Sequence, residues 1–220
     1  MQPVDRAEIE DNDLATATLS LVDRLRPHLR TLLAAVAVAF VAMAAWTLVA
    51  SRRDAERSAA WDACLAAVSA RDAARLGEVA GRYPGTPAAT WSQVLLADNT
   101  LAEGNRLVFA DKAQGRERLQ SAADLYAGVM AQRPKGLAAE RAVFGLAKAR
   151  EALGELDAAR QGYEALVAEY PASPLASLAA SRVKALGRPA TAGWYDWFQA
   201  IDVTPPAQPE SAASGAAAGN

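Results

Sequence analysis

Residues 144–174 have the sequence FGLAKAREALGELDAARQGYEALVAEYPASP, which ends in a pattern typical of a joint between two helices. Pro171 stops one helix, Ser173 can cap the N-terminus of the next, and Pro174 suits its first turn, where a missing N–H costs nothing. Alanine makes up about a quarter of the chain and aromatic residues only 6%, a composition that favours closely packed helices. The sequence therefore predicts an all-α fold.

The same joint occurs again elsewhere in the chain. Residues 82–89 repeat it, with Thr86 as the capping residue and Pro87 in the first turn, and residues 132–139 form a weaker copy. The residues between the joints repeat with a period of 37, which indicates stacked structural units. The matching positions are Ala122, Tyr126 and Val129 before Pro134, and Ala159, Tyr163 and Leu166 before Pro171.

Small alanines and one bulky tyrosine in each repeat are what two close-packed antiparallel helices need. Each pair of helices buries its other face only against the next pair, so the sequence predicts a solenoid of helical hairpins. Gly104 aligns on Gly154 at an offset of 50. The first repeat is therefore expected to carry an insertion in its turn, at residues 105–118.

A long uncharged segment precedes the repeats. Between Arg30 and Arg52 lie 21 consecutive residues without a charge, and as a helix they would rise roughly 31 Å, which matches a hydrocarbon core about 30 Å thick. Residues 31–51 are therefore predicted to span a membrane once and to continue as a helix to about Ala70. We favour an uncleaved anchor over a signal peptide, because the apolar run is too long and no clear cleavage site follows it.

Charge and the supply of reactive side chains exclude several classes of function. Residues 1–30 carry the whole net charge of −2, and the later arginines alternate with carboxylates, so nucleic acid is not an expected partner. Cys64 and His28 are the only residues of their types, too few for a Cys/His zinc site. No phosphate-binding glycine motif is present, and acids such as Glu151 are expected on solvated helix faces. We expect no enzyme activity, no cofactor and no small-molecule substrate.

The stretch at residues 144–174 resembles a tetratricopeptide repeat, with departures at Val143 and Arg150, where Trp and Tyr are common. The matching residues are Leu146, Ala147, Gly154 at the turn, Ala159, Tyr163, Leu166 and the terminal Pro171. The whole arrangement, one span followed by about three such repeats, is similar to the bacterial YfgM-like ancillary subunits of the Sec translocon. That resemblance implies an inner-membrane protein with a cytoplasmic N-terminus and periplasmic repeats. Charge alone leaves the orientation open, because three arginines flank the span on each side.

In tetratricopeptide solenoids the first helix of each pair lines a concave groove that takes up peptides, and this analogy supplies candidate binding residues. The groove candidates are Trp91, Val94, Asp98, Arg141, Phe144 and Lys148. Phe144 or Trp91 would give apolar contact, unless they belong to the core, while Arg141 and Lys148 would hold a carboxylate or carbonyl oxygens. A second aromatic group, expected to cap the last repeat or to dock a partner or a membrane surface, consists of Trp194, Tyr195, Trp197 and Phe198.

Two functional hypotheses follow. The first is a membrane-anchored protein-binding adaptor whose partners are Sec translocon subunits or exported clients. The second is a structural scaffold that organises the envelope or assists outer-membrane assembly, and a membrane-tethered subunit of a hydrolase or sensor is a more remote third. The expected organisation is an acidic segment at residues 1–30, a span at 31–51, repeats at 52–187, an aromatic cap at 188–202 and a disordered tail at 203–220.

Overall fold

The computed structural model describes residues 29–204. Most of the predicted acidic segment, residues 1–28, and most of the predicted disordered tail, residues 205–220, lie outside this range. The described part is helical and contains no strand, which confirms the prediction of an all-α fold. Its helices are α1 (Leu29–Ala70), α2 (Ala73–Arg82), α3 (Pro87–Leu107), α4 (Lys112–Ala131), α5 (Leu137–Leu153), α6 (Leu156–Glu169), α7 (Ala176–Leu186) and α8 (Pro189–Ala200).

Helix α1 is continuous over 42 residues, as expected from the lack of glycine and proline after the predicted span. It is long and apolar enough to cross a membrane, and side chains such as Phe40 and Trp46 are exposed along it. A helix suits hydrocarbon because its backbone polar groups bond to one another. The chain divides into two compact units between Ala55 and Glu56. The second unit contains the end of α1 and all the later helices.

Within the second unit, consecutive helices from α2 to α8 pack against each other in chain order, and α3 also contacts α5. The connection between α3 and α4 is four residues long, so the chain reverses direction there. Contacts along both helices confirm that they are antiparallel. The facing residues are Gln93 with Gln132, Asp98 with Tyr126, and Gly104 with Leu119.

The predicted insertion is not a long turn. Only residues 108–111 separate α3 from α4, and the additional residues lengthen the helices instead: α3 and α4 have 21 and 20 residues, against 17 and 14 in α5 and α6. Gly104 is buried inside α3, where it faces Leu119, whereas Gly154 ends α5 with a φ of 84°. The sequence pattern treats these two glycines as equivalent, but their roles differ. Gly104 permits close packing, and Gly154 permits a left-handed turn.

The two best copies of the joint also differ. At the first copy, Thr86 accepts a hydrogen bond from the Ala89 amide at 3.2 Å and Pro87 begins α3, as predicted. At the second copy, the Ser173 hydroxyl oxygen accepts a hydrogen bond from the Leu175 amide at 3.1 Å, within a turn. Helix α7 begins only at Ala176. Ser173 is therefore not the predicted cap of α7, because the turn after Pro171 continues past it.

The core of the second unit consists of three groups of small residues around a few large ones. The largest fully buried side chains are Tyr126 and Tyr163, at the same position of the 37-residue period. Gly145 on α5 faces the Tyr126 ring so closely that an added Cβ would collide with it. The alanine and glycine content thus allows neighbouring helices to approach each other around one bulky ring.

Candidate functional site

Two networks of charged and phenolic side chains connect successive helices. In the first network, Asp98 of α3 accepts a hydrogen bond from the Tyr126 hydroxyl of α4. Its other oxygen, Oδ2, lies 2.8 Å from Nε and 2.7 Å from Nη2 of Arg141, on α5. Hydrogen bonds to an ionised partner are stronger than neutral ones. The first network therefore joins one helical hairpin to the first helix of the next.

The second network is centred on Glu151 of α5, which is only 7% exposed. Its Oε2 accepts hydrogen bonds from Tyr163 of α6 at 2.8 Å and from Nε of Arg182 of α7 at 3.2 Å. Its Oε1 accepts a hydrogen bond from Tyr195 of α8 at 2.8 Å and also contacts Arg182. The expectation that Glu151 lies on a solvated face is wrong, because three donors compensate the cost of burying its charge.

Burial raises the pKa of the tyrosines in both networks. The pKa of Tyr126 is raised well above its ordinary value, by loss of solvent first and by the hydrogen bond to Asp98 second. Burial likewise raises the pKa of Tyr163, with a smaller contribution from Tyr195, and burial raises the pKa of Tyr195 itself. All three phenols therefore remain protonated donors at neutral pH.

Phe144 and Lys148 lie next to each other on α5 and border two cavities. The Lys148 ammonium is 6.0 Å from the centre of the Phe144 ring, and that ring is 5.5 Å from the Tyr163 ring. Lys148 is exposed, and within the described part of the chain no carboxylate forms an ion pair with it. One cavity, of about 270 Å³, also borders the first network at Asp98 and Arg141.

The larger cavity, of about 450 Å³, lies between α3, α5, α7 and α8. Aromatic rings form much of its wall, and Lys148 and Arg182 add polar atoms. This volume falls within the range of ligand pockets in proteins, roughly 300–1,000 Å³. The rings that line it are Phe109, Phe144, Tyr163, Trp194, Tyr195 and Phe198. We call this region the aromatic groove.

Helix α8 lies along one side of the aromatic groove and is held mainly at its C-terminal end. The Lys112 ammonium, at the start of α4, contacts the carbonyl oxygens of Phe198 at 2.7 Å, Gln199 at 2.8 Å and Ile201 at 2.6 Å. A cation at a helix C-terminus satisfies carbonyl groups that have no partner inside the helix and interacts favourably with the helix dipole. Lys112 is therefore the principal polar contact that fixes α8.

Other contacts of α8 reach α4 and α5. The side-chain nitrogen of Gln199 donates a hydrogen bond to the Leu153 carbonyl oxygen at 3.0 Å. The side-chain oxygen of Gln199 accepts a hydrogen bond from Arg116 at 2.7 Å. The Phe198 ring lies 5.5 Å from the Phe109 ring. No residue of α8 is fully buried. The helix is attached by polar contacts and partly covered rings, without a buried apolar core of its own.

The structure divides the predicted groove residues into different environments. Val94 is fully buried and Trp91 is partly buried against the same core, so Val94 has no surface for a ligand. Asp98 and Arg141 are brought together, but they bind each other. Only Phe144 and Lys148 border the aromatic groove.

The structure also joins two groups that the sequence treated separately. Three of the four C-terminal aromatic residues, Trp194, Tyr195 and Phe198, line the same cavity as Phe144 and Lys148. Trp197 does not, and it is 58% exposed. Two of the groove candidates and three residues of the aromatic cluster therefore line one cavity.

Sequence reasoning missed several residues of this site. Lys112, Phe109 and Arg182 carry no local motif, because their partners lie on other helices. The available signal was the repeated tyrosine, since a buried phenol needs a hydrogen-bond partner and an acid on the facing helix is the expected one. No protein-family model, curated protein or solved structure matches the chain.

Proposed function

We propose that this protein is a membrane-anchored adaptor that binds other proteins through the aromatic groove. The observation that carries the proposal is the groove itself, where aromatic rings from several helices surround a cavity beside Lys148, an exposed cation without an ion-pair partner among residues 29–204. Aromatic side chains together with a few placed polar groups are typical of surfaces that bind polypeptides.

In this proposal the helical hairpins are tetratricopeptide-like repeats. The equivalent burial of Tyr126 and Tyr163, each bonded to an acid on the preceding helix, supports a structural period. Two arginines, Arg141 and Arg182, come in each case from the first helix of the next hairpin. Repeats linked in this way present one continuous face formed by α3, α5 and α7.

A photo-crosslinking amino acid at position 148 of the full-length membrane protein tests protein binding. We expect covalent adducts with other polypeptides there and none at position 164, an exposed site on α6. Leu178→Asp, in the wall of the groove, should reduce the adducts. Leu65→Asp, on an exposed surface of α1, should not. Equal adducts at positions 148 and 164 would contradict the proposal.

The membrane part of the proposal is that α1 is a single span in the bacterial inner membrane and that the repeats face the periplasm. Its support is the length and apolar character of α1, together with the resemblance to translocon subunits. A periplasm-active reporter fused after Gly187 should be active. Crosslinks from position 148 to translocon subunits or exported clients would support an adaptor, and crosslinks only to envelope-assembly proteins would favour a scaffold. Activity of a cytoplasmic reporter alone would contradict both.

A further inference from the structure

We propose that the surface beneath α8 is a binding site for an aromatic amphipathic helix of a partner protein, and that α8 covers this site in the free chain. The inference rests on the proposed protein-binding function and specifies its partner and its regulation. A partner helix would replace α8 and occupy the same contacts.

The contacts of α8 show what chemistry the surface recognises. Lys112 binds the carbonyl oxygens that end a helix. Glu151 accepts a hydrogen bond from the phenol of Tyr195. Phe109 packs against the ring of Phe198, which lies three positions after Tyr195 in α8. Any helix with two aromatic residues at this spacing, ending over Lys112, could make these contacts.

Helix α8 fits the surface incompletely. None of its residues is fully buried, Trp194 and Trp197 are 47% and 58% exposed, and the cavity of about 450 Å³ remains between it and α5. The groove is open to water, and removing apolar surface from water is favourable. A partner helix with a large apolar side chain directed into the cavity would therefore gain contacts that α8 does not make.

The charges around the groove favour an acidic partner. Lys148 borders it, and the buried charge of Glu151 is already compensated by Arg182. A carboxylate on the partner helix would pair with Lys148, which α8 leaves without an ion pair. We therefore expect a helix that is aromatic on one face and acidic near the end of that face.

A labelled peptide of residues 188–204, the sequence of α8 itself, is the probe for the full-length protein in detergent. Phe198→Asp in the chain should release the covalently attached α8 while leaving its receptor surface intact. Because an attached competitor acts at a high effective concentration, this variant should bind the peptide at least about tenfold more tightly than the wild type. Adding Lys112→Met should abolish that gain.

Trp197→Asp is the matched control, because Trp197 lies on the same helix but does not line the groove. It should bind the peptide as weakly as the wild type. A second measurement needs no substitution in α8. A protease site inserted after Gly187 in the full chain should, once cut, allow excess labelled peptide to displace the fragment that contains α8.

The outcomes separate this inference from the proposed function. If Phe198→Asp binds the peptide no better than the wild type, or if the cut fragment cannot be displaced, α8 is a permanent part of the fold and the inference is wrong. Protein adducts at position 148 would then still support the proposed function. If neither wild type nor Phe198→Asp forms adducts at that position, both are wrong.

Discussion

At the scale of single residues, the fold depends on positions where a side chain must be absent. Gly145 is buried against the Tyr126 ring, whereas Gly128 on α4 has open space around the position of a Cβ. Both glycines lie inside helices, where alanine has the better intrinsic propensity by about 1 kcal/mol. Their surroundings therefore determine opposite effects of the same substitution.

We predict that Gly145→Ala destabilises the protein by about 1–3 kcal/mol, because the new methyl group displaces the Tyr126 ring and overpacks the core. Gly128→Ala should raise stability by up to about 1 kcal/mol. Chemical denaturation of the two full-length variants in detergent measures both changes. Equal effects would show that α4 and α5 do not approach each other as described.

The buried phenols give a second prediction, on pH. In the folded chain the pKa of Tyr126 lies above the ordinary value of 10.0 that it has when unfolded. The folded state therefore keeps this proton up to a higher pH than the unfolded state does. The stabilisation that results is present below pH 10 and is lost as the pH rises further. Tyr126→Phe should cost about 1–2 kcal/mol at neutral pH, with a difference from wild type that shrinks above pH 10.

The measurement is a set of denaturation curves between neutral pH and pH 11 for wild type and Tyr126→Phe. Above pH 10 the free energy of unfolding of the wild type should fall more steeply than that of Tyr126→Phe, by up to about 1.4 kcal/mol per pH unit. Parallel curves for wild type and Tyr126→Phe would contradict the prediction.

At the scale of helices, α8 illustrates attachment without burial. Its end is fixed by one ammonium group at three carbonyl oxygens, and none of its residues is fully buried. We predict that Lys112→Met, which keeps the aliphatic part of the side chain, increases hydrogen exchange in α8 about tenfold or more, since a lost charge-assisted hydrogen bond costs about 1.5–3 kcal/mol. Exchange in α5 and α6 should change little.

Lys135→Met is the control for this experiment, because Lys135 is exposed in the turn before α5 and has no contact with α8. It should leave exchange in α8 unchanged. If Lys112→Met also leaves α8 protected, the aromatic contacts at Phe109 are sufficient to hold the helix, and Lys112 is not its main attachment.

Helices were also the elements that the sequence predicted best. Thr86 and Pro87 marked the start of α3, because capping is a local effect within one turn. Two predictions are wrong, the cap at Ser173 and the long turn at residues 105–118. The reason is that helix length depends on packing against neighbouring helices. Gly104 is buried against Leu119, and this contact favours a longer α3 over a longer turn.

At the scale of the whole molecule, the candidate site depends on contacts that no local pattern contains. Phe144 and Lys148 were predicted as groove candidates on one helix. Their meeting with Trp194 and Phe198 was not, because it requires α8 to lie beside α5. Glu151 was misplaced for the same reason: its sequence neighbours favour a solvated face, and its three donors come from α6, α7 and α8.

The second network also determines how the hairpins unfold together. Stacked hairpins contact only their neighbours, so cooperative unfolding requires strong links between them. Glu151 bonds to Tyr163, Arg182 and Tyr195 and so links α5 to α6, α7 and α8. Without the negative charge of Glu151, these hydrogen bonds weaken and Arg182 loses its ion-pair partner. The cost should be about 2 kcal/mol, below the 3–5 kcal/mol of a fully buried pair, because the Arg182 side chain is 39% exposed.

We therefore predict that Glu151→Gln separates one unfolding transition into two. Under mild denaturant, hydrogen exchange should rise first in α7 and only later in α3 to α5, whereas in the wild type α3 to α7 should exchange together. Glu164→Gln, which removes a surface carboxylate 4.0 Å from Arg160, is the matched control and should leave a single transition. A single transition in Glu151→Gln, shifted uniformly in all helices, would show that apolar packing alone couples the C-terminal helices to the rest.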